Sequence, residues 1–77
     1  MLIEVFGPGC AKCQTLEKHA KEAIELSGES HQVVKVSDYA VMAARGVIST
    51  PALALEGRLK TQGRVLSAEE ILTLLKG

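Results

Sequence analysis

The chain has 77 residues, enough for one small domain near the size where a single core is barely sufficient. A hydrophobic fraction of 47% excludes intrinsic disorder, and nine basic against nine acidic residues leave no net field to gather nucleic acid or an anionic membrane. One Phe, one Tyr and no Trp give little to stack on bases, and no apolar run nears the ~20 residues needed to span a bilayer.

Leu2 to Phe6 is short, apolar and β-leaning, and Gly7-Pro8-Gly9 stops it, which predicts a buried strand followed by a sharp turn. From Ala11 to Ser27 the period becomes helical. Cys13, Leu16, Ala20, Ala23 and Ile24 fall in an arc of roughly 100°, the width of a core-facing stripe. Lys18, Lys21, Glu22 and Glu25 lie mostly opposite. Glu17 with Lys21, and Lys21 with Glu25, have ion-pair spacing, each contributing about 0.2–0.5 kcal/mol. Gly28 is the expected stop.

Val33 to Val36 reads as a second strand. Ser37 or Asp38 caps a short helix through Tyr39, Met42 and Ala43, ended by Gly46. Val47 to Pro51 is a loop leading into the apolar strand Ala52–Leu55. Glu56-Gly57 signals a tight turn into a fourth strand of about Leu59 to Gln62, whose flanking Arg58 and internal Lys60 suit an exposed edge. Ser67-Ala68-Glu69-Glu70 fits a capping box, opening a last helix to about Lys76 with Ile71, Leu72, Leu74 and Leu75 on its apolar side. The order β-α-β-α-β-β-α predicts a single α/β domain over residues 1–77. Its four-stranded mixed sheet has parallel pairs joined by crossovers, helices on both faces, and a late hairpin forming an antiparallel edge.

Cys10 and Cys13 are the only cysteines. Three readings are open. As a structural crosslink they close a loop of about four residues, contributing roughly 2 kcal/mol against ~4–5 for a long-range bridge. As a metal site they offer two thiolates to Cu(I) or Zn(II), but a closed zinc site needs four ligands and His19 and His31 stand among polar residues. As an exchange pair they are well placed. Cys10 falls at the start of the first helix, where unpaired N–H groups and the positive dipole end stabilise a thiolate, and Lys12 adds a positive charge. Cys13, one turn on, points at the core. Position favours exchange, with Cys10 attacking and Cys13 resolving. The N-terminus runs from Met1 straight into Leu2–Phe6 without a basic region or cleavage pattern, which points to the cytoplasm.

Gly7-Pro8-Gly9-Cys10-Ala11-Lys12-Cys13, Gly46-Val47, Ser49-Thr50-Pro51-Ala52, Glu56-Gly57 and Gly63-Arg64 together resemble the thioredoxin superfamily. Within it they are similar to the small, glutaredoxin-sized redox-active disulfide proteins of archaea and bacteria, over nearly the whole chain. The resemblance implies a minimal thioredoxin-like fold and a thiol–disulfide oxidoreductase acting on protein or small disulfides. It needs no cofactor beyond the Cys10–Cys13 disulfide. It also implies a cis Pro51 facing that pair and a Thr50 backbone that pairs with substrate. Disulfide-bearing protein partners, a thioredoxin-reductase-like electron donor and a monomer complete the expectation.

The resemblance further implies a role for Glu4, six residues before Cys10, as the acid that accepts the Cys13 proton through a water; the equal alternative is a carboxylate that faces solvent on a half-exposed strand. The alternatives are a soft-metal carrier and a redox-sensing binding module built on the same cysteines. Gly9 stands where thioredoxins have Trp, and Ala11-Lys12 where they have Gly-Pro, so the flat aromatic contact surface is absent. Gln62-Gly63-Arg64-Val65 lacks the acid with which glutaredoxins grip glutathione, so strong glutathione use is not expected.

Overall fold

The computed structural model describes residues 2–76. Its elements are β1 (Leu2–Phe6), α1 (Ala11–Ser27), β2 (Gln32–Val36), α2 (Tyr39–Ala44), β3 (Ala52–Leu55), β4 (Arg58–Gln62) and α3 (Ala68–Lys76). The predicted order holds, with β2 and β4 each starting one residue earlier than expected. The four strands form one sheet in the order β2-β1-β3-β4.

Alternation along the central strands creates two cores. Ile3 and Val5 of β1 and Leu53 and Leu55 of β3 join Leu16, Ala20 and Ala23 of α1 and Ile71 and Leu75 of α3. On the other face Phe6, Ala52 and Ala54 pack with Met42 of α2 and Val47. Helices therefore cover both faces, as predicted. Ile3, Phe6, Leu16, Leu53 and Ile71 are fully enclosed, each contributing about 1.5–3 kcal/mol of apolar burial. Ala20 and Ala23 present only methyl groups, so α1 lies close to its neighbours.

One direction differs from expectation. β1 and β2 are parallel, but β3 runs antiparallel to β1, so the sheet has a single parallel pair. The connection through α2 brings the chain back to the same end of β1. The chain leaves β2 opposite Phe6 and re-enters the sheet at Ala52, also opposite Phe6. It never returns to the far end.

The helix ends follow their capping residues. Asp38, not Ser37, caps α2, its Oδ1 accepting from Ala40 N at 2.8 Å and Val41 N at 3.3 Å. Gly28 closes α1 at φ 70°. The capping box of α3 forms as predicted: Glu70 N donates to Ser67 Oγ at 3.1 Å and Ser67 N to Glu70 Oε1 at 3.0 Å. Lys21 pairs with Glu17 at 3.3 Å rather than with Glu25, and Glu17 also meets Lys35 of β2 at 3.7 Å.

Candidate active site

Gly7-Pro8-Gly9 turns the chain out of β1 so that Cys10 becomes the N-cap of α1, extended at φ −67° and ψ 167°. Cys10 and Cys13 are joined as a disulfide, with Cα atoms 5.1 Å apart. Cys13 N–H donates toward Cys10 Sγ at 3.3 Å, one of the orphan amides of the first turn. No acidic residue stands in that turn to offset the positive helix end. Cys10 is exposed, whereas Cys13 is 5% exposed. The two sulfurs thus have different access, which follows from their helical positions. Gln14 steadies the turn, its side-chain amide donating to Gly9 O at 3.1 Å.

Cys13 occupies space that only a glycine leaves free. A Cβ on Gly7 would overlap Cys13 Sγ, and it would lie 3.9 Å from Thr50 Cβ. Gly7, Cys13 and Thr50 therefore meet at one point. The Thr50–Pro51 bond is cis and Pro51 is buried. Sequence reasoning took Gly7 only as a turn former; its close approach to the sulfur was not visible in a Gly-Pro-Gly triplet. It also missed Gln62. The Gln62 Oε1 atom accepts from Ile48 N at 2.8 Å and Ser49 N at 3.2 Å, while Gly63 N donates to Pro51 O at 2.9 Å. The end of β4 thus holds the loop carrying Thr50 and Pro51. A crevice of about 200 Å³ opens on Cys13, bounded by Val5, Gly7, Pro8, Gly9, Gln14, Lys35 and Ser37.

Lys12 is exposed in the first turn of α1. Glu4 lies elsewhere. It shares the α2 face of β1 with Phe6, whereas Cys13 and Gly7 are on the α1 face, so the structure does not bring Glu4 to the cysteine pair. Both its oxygens are held by Arg45, Nη1 to Oε2 at 2.9 Å and Nη2 to Oε1 at 2.8 Å. These hydrogen bonds hold the Glu4 carboxyl below the ordinary carboxylate value, against the opposing effect of burial. The residue of β1 that borders the Cys13 crevice is Val5.

The histidines are also committed away from the cysteines. A carbonyl can only accept, so His19 Nδ1 donates to Leu66 O, at 2.7 Å. His31 Nε2 faces Glu29 Oε1 at 3.3 Å. Among the described residues, no group of three or more His, Cys, Asp or Glu side chains is arranged to hold a metal ion. Nor is any helix among them long and apolar enough to cross a membrane.

A family model described as "Thioredoxin domain" matches residues 1–76. The chain belongs to the thioredoxin family. A thioredoxin of Methanothermobacter thermautotrophicus is 41% identical over 75 residues, covering 97% of each chain. A thioredoxin of Methanocaldococcus jannaschii is 36% identical over 76 residues, covering 99% of this chain and 87% of the relative. A solved structure of a malarial protein superposes with a TM-score of 0.72 at 16% identity, covering 97% of this chain and 92% of the other, and shares the fold. For a thioredoxin-family chain with its two cysteines bonded at a helix start, the chemistry is thiol–disulfide redox exchange.

Proposed function

We propose that this protein is a cytoplasmic dithiol–disulfide oxidoreductase that carries two electrons from a thioredoxin-reductase-like donor to disulfide-bearing proteins. The observation that carries this reading is the unequal pair: an exposed Cys10 at the positive end of α1, bonded to a buried Cys13. In the reduced protein the Cys10 thiolate attacks a substrate disulfide, forming a Cys10–substrate bond and releasing one substrate thiolate. Cys13 then loses its proton to solvent and attacks Cys10 Sγ. The internal disulfide forms, the Cys10–substrate bond breaks, and the second substrate thiolate leaves. Two electrons pass to the substrate and both its sulfurs take up protons. The donor reverses the sequence on the protein.

In this reading Thr50 offers its backbone to an extended substrate segment, Pro51 walls the site beside Cys13, and Lys12 adds positive charge near the attacking sulfur. The protein works as a monomer without a bound cofactor. Glutathione is a poor donor in this reading, because Gln62-Gly63-Arg64-Val65 lacks an acid to hold its amine. Reduction of insulin by dithiothreitol, followed as turbidity, tests the reading. The wild-type protein accelerates it and Cys10→Ser does not; a wild type without effect removes the oxidoreductase reading. Titration of the reduced protein with Cu(I) distinguishes a soft-metal carrier, which binds one ion tightly and leaves insulin intact.

A further inference from the structure

Ile48 is 89% exposed, more than Tyr39 at 70%, Leu26 at 62% or Val41 at 41%. A lone exposed apolar side chain is ordinary on a protein surface. The setting of Ile48 is not. It stands two residues before Thr50, at most about 7 Å along the chain from the residue that meets Gly7 and Cys13. Its backbone is also fixed. Ile48 N and Ser49 N both donate to the same Gln62 oxygen, and Pro51 O accepts from Gly63 N two residues further on. Gly63, at φ +76°, lies so close that a Cβ there would press on Ser49 Cβ at 3.3 Å. A slack loop would let the isoleucine collapse onto the nearest apolar surface. This segment is held from both sides, and it keeps the side chain in water two residues from the one that meets Gly7 and Cys13.

We infer that Ile48 is a specificity-determining contact of the exchange reaction. It favours disulfide-bearing segments with an apolar side chain one to three residues from the reacting cysteine. Gln62 is the positioning residue that keeps Ile48 presented. The inference rests on the oxidoreductase reading above and names the substrate class of the same site. A substrate apolar group laid on Ile48 removes both surfaces from water, and the part-covered contact is worth about fivefold in rate.

The test uses synthetic peptides whose single cysteine is a mixed disulfide with thionitrobenzoate, flanked by leucine in one peptide and serine in the other. Cys10 attacks the peptide sulfur, the peptide–thionitrobenzoate bond breaks, and the coloured thiolate is released. The reduced wild-type protein reacts about fivefold faster with the leucine peptide. Ile48→Ser brings the ratio of the two rates to about one. Gln62→Met, which lacks an acceptor oxygen, lowers the ratio, and Gln62→Glu, which keeps one, restores it. A merely structural role for Gln62 would change stability without moving the ratio. A ratio unchanged in Ile48→Ser overturns the specificity role. A ratio lost in Ile48→Ser but kept in Gln62→Met overturns the positioning role. The small disulfide dithiobis-nitrobenzoate, given to the wild type, separates the two levels: if it is not reduced, the oxidoreductase reading itself has failed.

Discussion

Arg45 grips Glu4 with both guanidinium arms, at 2.9 and 2.8 Å, and lies over the Phe6 ring with 5.3 Å from its carbon to the centroid. The same guanidinium donates to Gly57 O at 3.3 Å. One arginine thus ties the end of α2 to β1 and to the β3–β4 turn, on the sheet face that α2 is too short to cover. Both Glu4 oxygens are spent on Arg45 in this arrangement. Replacing it with Gln is expected to leave the pH profile of disulfide exchange unchanged, measured as the rate of dithiobis-nitrobenzoate reduction between about pH 5 and 9. A displaced profile would return Glu4 to the proton path.

Glu4 does matter for acid stability. Arg45 holds its folded carboxyl below the ordinary value of 4.5, and the Ser67 backbone N–H does the same to Glu70. A carboxyl depressed on folding stabilises the native state above its unfolded value, and that contribution is lost as pH falls through the folded value. The melting temperature should therefore hold through neutral pH and decline below about pH 4.5. Glu4→Gln should melt below wild type at neutral pH, with the gap narrowing in acid. A gap constant down to about pH 3 would show that the ion pair is not the source.

Gly7→Ala should disturb the site more by contact than a methyl on any other described glycine. The added carbon overlaps Cys13 Sγ and lies 3.1 Å from Cys13 Cβ, so the first helical turn must shift. A cost of about 1–3 kcal/mol is expected in denaturant unfolding, together with slower exchange. A variant with wild-type stability and rate would mean that Cys13 sits further from β1.

Two isoleucines give opposite expectations. Ile71 is 0% exposed within the α1–α3 core, and Ile71→Ala should cost about 2–5 kcal/mol. Ile48→Ala should change stability by less than about 0.5 kcal/mol, because its side chain packs on almost nothing. Chemical denaturation of the two variants checks both. Equal losses would contradict the assignment of Ile48 to solvent.

What the sequence made legible was local. The stripe of Cys13, Leu16, Ala20 and Ala23, the Ser67–Glu70 box and the Gly28 stop are set by residues within a turn of one another, and each formed as read. What it concealed was long-range. Counting six residues from Glu4 to Cys10 says nothing of which sheet face Glu4 occupies, and a shift of one position moves a strand residue to the other side. The partner that claims Glu4 lies 41 residues away. Gln62 reaches Ile48 across 14 residues, a bond that no motif announces. The direction of β3 depended on where the connection from Val36 to Ala52 sets the chain down, which periodicity alone does not measure.

The most direct measurement is the order in which the two thiols react. The reduced protein is treated with iodoacetamide across roughly pH 5 to 9, and mass spectrometry locates the label. Cys10 should be alkylated near pH 6 well ahead of free cysteine, with Cys13 unlabelled until the protein is unfolded. Equal labelling of both, with the pH dependence of an ordinary thiol, would contradict the division of labour between an attacking sulfur at the helix tip and a sheltered one behind it.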